Sequence, residues 1–392
     1  MGVSDDSVIK AFAGFLGGGM TAASSTLVFL PLKYGGAGFQ SAGLRADAAW
    51  VASWEQVQAA VRADQNAASE VAAASATPML TEALVAARAR LTAIGAAAHA
   101  GKQKDIQQPA IRKIYHHLLG NLDSDGAALV RSQGAEGGAW LWAPSRKKHF
   151  MGDDDYIVCL RRRLLYSDPA GQGGRPCAHK TVGTGAICGV CTRQQYGIHP
   201  VCCNKGPGFV RRHNNDRDAL AGWLCEHHGT EAVTTEQHIP QWDRVTSQGN
   251  EQAVLDVILS APTGRVAVDV SIVEACCPDE ATARARGRTD GSAARTRELE
   301  KHRRYPGPGL VAAVIEAGGR MGKEFRAFLR SCAPADEGRS AAMKDVKQRL
   351  AVALQRGVAA MLLGSAGSRQ RPWTSACQSL GRGAAKRRRM AG

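Results

Sequence analysis

Two aspartates with twelve residues between them carry the strongest chemical signal in the sequence. Asp256 lies in Ala253-Val254-Leu255-Asp256-Val257-Ile258-Leu259, and Asp269 lies in Arg265-Val266-Ala267-Val268-Asp269-Val270-Ser271-Ile272-Val273. Both runs are rich in β-branched residues and predict strands. Between them, Ala261-Pro262-Thr263-Gly264 reads as a turn. Strands paired around that turn without a bulge bring Asp256 opposite Asp269 on one face, with Cβ atoms about 4.5–5.5 Å apart. Like charges so placed repel, and apolar neighbours make an unpaired charge expensive. A divalent cation between them removes both penalties. Two aspartates suit Mg²⁺, which keeps several waters and bridges to phosphate. Such a centre activates water for attack at phosphorus and stabilises the charge that develops there. The competing reading leaves both aspartates facing solvent on a half-exposed hairpin.

Residues for the remaining roles flank the pair. Glu236, in Thr235-Glu236-Gln237-His238, offers a third carboxylate, and Lys301 offers a point charge to orient the attacking water or stabilise the phosphorane. Upstream, Arg211-Arg212-His213-Asn214-Asn215-Asp216-Arg217 opens a predicted helix with an apolar side of Ala219, Leu220, Trp223 and Leu224. Arg211, Arg212, His213 and Arg217 there make a candidate contact surface for backbone phosphate.

A second metal is suggested by Cys188-x2-Cys191-x7-His199-x3-Cys203. Zinc takes four soft or borderline ligands in a tetrahedron, and a CxxC turn supplies two of them. Cys202 is an alternative fourth ligand, and Cys177 or His179 competes for a place. Four protein ligands leave no open position, so the expected role is structural. Residues 177–209 are too poor in apolar side chains to form a core unaided. Metal coordination contributes about 10–16 kcal/mol of apparent folding energy in such segments.

These sites must be positioned by the rest of a 392-residue chain, long enough for two or three domains. Residues 1–145 read as a mostly helical region, Ala-rich from Trp50 to Ala98 with no Pro until Pro78, and Thr81 as the cap of a second helix there. Residues 146–176 read as a linker, 177–209 as a small zinc-binding unit and 210–335 as helix, strand, strand, helix, strand, helix. The last segment, 336–392, reads as a helix from Ala341 to Leu363 and a basic tail through Lys386-Arg387-Arg388-Arg389. The fold class expected is α+β. An apolar stretch from Ala11 to Leu32 is broken by Gly17-Gly18-Gly19 and ended by Pro31, so a buried helix and strand are expected there rather than a membrane span. Fifty basic residues against 35 acidic give +15, which favours a polyanionic partner, nucleic acid first. The 11 cysteines are expected reduced and intracellular, some of them as ligands. The basic tail suggests the nucleus.

In combination these motifs resemble the C-terminal region of non-LTR retrotransposon proteins. That family carries a CCHC knuckle, an Arg-His-Asn helix, two acids twelve residues apart and a lysine shortly before a tyrosine. Here these are Cys188, Cys191, His199 and Cys203; Arg212-His213-Asn214; Asp256 and Asp269; and Lys301-x3-Tyr305. The resemblance extends to Leu30-Pro31-Leu32-Lys33-Tyr34-Gly35-Gly36-Ala37-Gly38-Phe39, to Ala48-Ala49-Trp50, and to Arg131-Ser132-Gln133-Gly134, Trp140-Leu141 and Pro144. It implies a restriction-enzyme-like PD-(D/E)XK nuclease core after a post-polymerase segment. Such a core nicks target DNA to prime reverse transcription, with DNA and the element's RNA as partners and no membrane. Asp153-Asp154-Asp155-Tyr156 is not read as a polymerase metal box, since it follows the linker motifs and lacks the hairpin context. The alternative is a decayed element that only binds nucleic acid through a zinc-containing module.

Overall fold

A computed structural model describes residues 3–63, 78–96, 102–143, 149–171, 173–193, 195–247, 249–261 and 264–365. The expected tail at 386–389, Pro144 and the turn residues Pro262 and Thr263 lie outside the described residues. The chain is α+β.

The chain begins with α1 (Val3–Phe15) and α2 (Ala22–Phe29), separated by three consecutive glycines with positive φ. The strand expected in this apolar stretch is therefore a second helix. Its cause is local: Thr21 caps α2, its hydroxyl accepting from Ser24 N–H at 3.1 Å. Among the described residues no helix is long and apolar enough to cross a membrane. Helices α3 (Ala42–Ala63), α4 (Pro78–Ala93) and α5 (Gln103–Asn121) share a small core of Ala48, Val51, Ala52, Leu84, Ala87, Leu91 and Ile106. Thr81, expected as a cap, sits inside α4. Pro78 opens the helix instead, where a missing N–H costs nothing.

Helix α6 (Ser124–Ser132) is capped by Asp123, and a 3-10 segment, Ala135–Trp142, follows. The stretch expected as linker contains α7 (Asp153–Arg163), which buries Val158, Cys159 and Leu160. The aspartate triplet forms its first turn and three arginines its last, complementing the helix dipole at both ends. Arg163 is fully buried and donates to the carbonyls of Leu32, Gly36, Gln133 and Gly137. It thereby clamps the Gly-rich turn of residues 30–38 onto the 3-10 segment. A Cβ on Gly36 would lie 2.0 Å from the Leu30 carbonyl oxygen, so only glycine closes that turn.

The remaining elements are α8 (Ile198–Cys202), α9 (Gly208–His228), β1 (Val233–His238), a small hairpin of β2 (Arg244–Thr246) and β3 (Gly249–Glu251), β4 (Val254–Ala261), β5 (Gly264–Val273), α10 (Glu280–Arg288), α11 (Ser292–Arg304), β6 (Leu310–Glu316), α12 (Lys323–Cys332) and α13 (Arg339–Ser365). The main sheet has the order β1-β4-β5-β6. The first three strands are antiparallel, and β6 returns parallel to β5 after the α10–α11 crossover. The sequence pattern anticipated β4, β5 and β6 but not β1 or the small hairpin, whose residues are mostly exposed and polar.

The largest apolar core runs from Leu16 to Leu362 and draws on α1, α2, α5 to α9, the main sheet, α12 and α13. Its centre is the face of β4, β5 and β6 carrying Val257, Leu259, Val268, Val270, Ala313 and Ile315, joined by Leu220, Trp223 and Leu224 of α9 and the apolar positions of α13. At about 25 cal/mol per Å² of apolar surface removed from water, a core of this extent dominates the favourable side of folding. Helices α1 and α2 thus share one core with the sheet, while α3 and α4 pack in the small core of their own.

Candidate functional site

Register places the acids. The β4–β5 ladder runs from Ala261↔Gly264 to Val257↔Val268, the pairing that a bulge-free turn implies, so Asp256 and Asp269 are the next opposed pair. There the backbone ladder stops and side chains take over. Asp256 Oδ2 accepts from Val270 N–H at 2.7 Å, and Oδ1 lies 2.8 Å from His213 Nε2 on α9. Asp269 alternates with the core residues Val268 and Val270, so it leaves the core face and meets Lys301 of α11. Lys301 Nζ is 2.6 Å from Asp269 Oδ2. Burial raises the Asp269 carboxyl above its usual range, and the Asp256 charge adds to that rise, against the opposing pull of Lys301.

Lys301 is held in turn. Tyr305, one turn on, puts its ring 5.9 Å from Nζ and packs against Trp242 with ring centres 5.5 Å apart. Trp242 Nε1 donates to the Pro306 carbonyl at 2.8 Å. The lysine's approach is therefore fixed by packing. Two opposed carboxylates thus stand together, Asp269 buried against the Lys301 ammonium and Asp256 beside His213.

Glu236 is not brought onto the pair. Its neighbours pair regularly, Thr235 with Val257 and Gln237 with Leu255, so it stands opposite Asp256 on the next strand. Its own backbone is left-handed, at φ 53°, and its exposed carboxylate is bound by Arg217 Nη1. Arg217 also bonds Asp218 at 2.8 Å.

The expectation for Arg212 is corrected. It is buried, with Nη1 donating to the Val201 carbonyl at 3.0 Å and its guanidinium 5.5 Å from the Phe209 ring. A Cβ on Gly357 would meet Arg212 Cγ at 2.4 Å, so α13 closes over this side chain and no phosphate reaches it. Arg211 is exposed on the same helix. His213 faces a carboxylate rather than solvent.

The expected CCHC ligand set is corrected at one position. Cys177, Cys188, His199 and Cys203 place one ligand atom each within 4.8 Å of all the others, a cluster that can hold a metal ion. Cys191 is outside it, exposed, with its thiol 3.6 Å from the Gly189 carbonyl. The reason lies in the backbone around Gly189. Residues 177–190 form a short hairpin, with Lys180 opposite Ile187, Cys177 N–H bonded to Val190 and Cys188 N–H to His179. Cys177 and Cys188 fall on one face, and the left-handed turn at Gly189, φ 69°, carries the chain to Cys191 outside the cluster. The separations fit a tetrahedron. Metal–ligand bonds of ~2.3 Å to sulfur and ~2.0–2.1 Å to nitrogen imply edges of about 3.8 and 3.6 Å. Cys177 Sγ lies 3.9 Å from Cys203 Sγ, and Cys188 Sγ 3.4 Å from His199 Nε2. Burial pushes the Cys177 thiol up to about 12 and raises Cys203 as well, and the neighbouring thiols reinforce it. Ionising these two thiols side by side calls for a cation between them. His179 is not a ligand, since its Nε2 meets the Met361 carbonyl at 2.8 Å.

Sequence reasoning missed the roles of Tyr305 and Trp242. The lysine–tyrosine spacing of four was the available signal, because residues i and i+4 meet on a helix. No protein-family model matches the chain, and no curated protein matches it.

Proposed function

We propose that the chain carries a metal-dependent DNA endonuclease, the activity that its motifs imply through their resemblance to non-LTR retrotransposon proteins. One observation supports this above the others: Asp256 and Asp269 stand opposed, with Lys301 2.6 Å from one and His213 2.8 Å from the other. In this reading the two aspartates hold Mg²⁺. When bound, that ion supplies Lewis acidity and a water of lowered pKa. The chain's own residues do the rest. Val270 N–H and His213 fix the Asp256 carboxylate, which restricts its oxygens to one direction. Lys301 brings an ammonium to the carboxylates and serves the charge that builds on phosphorus. Exposed Arg211 contacts backbone phosphate, while Glu236 stays with Arg217. Zinc in the Cys177, Cys188, His199 and Cys203 cluster acts as a staple. Target DNA, the element's RNA and a nuclear location belong to the same reading.

The test is nicking of supercoiled plasmid in Mg²⁺ or Mn²⁺ against EDTA, beside Asp256→Asn and Asp269→Asn. Metal-dependent nicking by the parent and its loss in both variants is the expected result. Nicking that survives in folded Asp269→Asn rules the site out. Binding without cleavage under either metal would favour the binding-only alternative, to which the capture of Glu236 by Arg217 already lends weight.

A further inference from the structure

Helix α5 presents charge that the carboxylate site does not use. Its inward side is Ile106, Ala110, Tyr115 and Leu118, all buried. Its outward side exposes Arg112, Lys113, His116 and His117, and its one acid, Asp105, lies in the first turn. Three other cations in this part of the molecule are paired with carboxylates: Arg88 with Glu55, Arg90 with Asp47 and Arg131 with Asp290. Among the described residues no carboxylate is paired with Arg112 or Lys113. The dipole of α5 does not account for them, because its last turn holds no basic residue and the dipole's reach is about one turn; the Lys113 stem lies against Gly95, just past the end of α4.

The charges are also arrayed. Lys33 Nζ lies 3.0 Å from Gln108 Oε1, so its charge heads the ridge that continues through Arg112 and His116. Lys113 and His117 form the adjacent ridge. At 1.5 Å of rise per residue a ridge from 108 to 116 is about 12 Å long, spanning roughly three to four nucleotide steps of ~3.4 Å along one strand. The face is rigidly mounted. Tyr115 stacks on Tyr34 at 4.7 Å, and Arg131 beneath it donates to the Gly287 carbonyl at 2.7 Å, fixing α5 to the α10–α11 crossover.

We infer that this face of α5 docks on the phosphate backbone of duplex DNA, away from the site of cleavage. The inference rests on the proposed function in taking DNA as substrate. Its contacts are electrostatic and sequence-independent, so they reveal themselves in salt dependence.

The experiment is fluorescence anisotropy of the full chain on a labelled duplex of about 30 base pairs, from roughly 50 to 200 mM KCl. Arg112→Gln/Lys113→Gln is compared with a control that loses the same charge elsewhere, Arg288→Gln/Arg330→Gln. Each lost phosphate contact lowers the slope of log affinity against log salt by about 0.9, so the α5 variant should flatten it by about 1.8. Over that fourfold range the variant then loses about 12-fold less affinity than the parent. The control should keep the parental slope. An unchanged slope in the α5 variant, equal flattening in the control, or a loss confined to single-stranded RNA would each overturn the inference. A parent that binds with full slope yet never nicks leaves this face standing and removes the nuclease reading. A parent that nicks while the α5 variant keeps its slope does the reverse.

Discussion

Cys177→Ser is expected to release the metal we propose for the Cys3His cluster, whereas Cys191→Ser should leave it bound. The argument is geometric. Cys177 Sγ is 3.9 Å from Cys203 Sγ, close to the edge of a zinc tetrahedron, while the Cys191 thiol faces away toward the Gly189 carbonyl. If four ligands share about 10–16 kcal/mol of binding energy, each accounts for about 2.5–4 kcal/mol. At about 1.4 kcal/mol per decade, loss of one true ligand weakens binding on the order of 10²- to 10³-fold. Zinc content after dialysis, and competition against a chromogenic chelator, read this directly. Circular dichroism of each variant shows whether the body of the protein stays folded. Metal retained by Cys177→Ser and lost by Cys191→Ser would refute the hairpin geometry and restore the CxxC pair as ligands.

Two further outcomes follow from buried charge. Arg163→Met removes this donor from the carbonyls of Gly36, Gln133 and Gly137 and, at about 1–3 kcal/mol for each acceptor left unsatisfied, should cost roughly 3–5 kcal/mol in urea unfolding; a loss under about 1 kcal/mol would mean the clamp is not made. Asp216 is fully buried with both oxygens unpartnered, and burial holds its carboxyl well above the usual range against the pull of Arg212. A raised carboxyl favours the folded state fully at pH below its unfolded value and loses that stability as pH climbs through the folded one. Asp216→Asn removes the titration, so its advantage over the parent in thermal melts should be near zero at about pH 4 and grow as the pH is raised; an equal difference at both ends would sink the assignment.

What the sequence disclosed and what it hid divide along physical lines. The Asp256–Asp269 register was legible because both strands are dense in β-branched residues and the turn between them is short, so alternation and loop length leave one pairing. The last helix was legible for a similar reason, an apolar period sustained from Ala342 to Leu362. Strand β1 was not, since it lies at the sheet edge with Thr, Glu and His exposed. The ligand swap was hidden because a CxxC pair is close in sequence whatever the backbone does. Only the left-handed turn at Gly189 carries Cys191 outside the cluster. Arg212 was misread because an arginine beside a histidine in a basic run looks solvated, and nothing local reveals that Gly357, 145 positions later, leaves room for α13 to cover it.

The two candidate metal centres share one helix, and that gives the cluster a purpose beyond its own segment. Helix α9 begins five residues after Cys203 and carries His213 to Asp256 and Arg217 to Glu236. Its first turns are tied to the cluster by Arg212, which reaches the Val201 carbonyl between His199 and Cys203. The same cluster is pinned to the end of α13 by His179 at Met361 and by Ala178 N–H at Ser365, 2.9 Å away. An unligated cluster would free α8 and the hairpin, and with them the carbonyl that holds Arg212. His213 is the next residue. The orientation of the Asp256 carboxylate therefore depends on ligands more than fifty residues upstream, and a metal-free chain should lose alignment at the carboxylates before it loses the sheet that bears them.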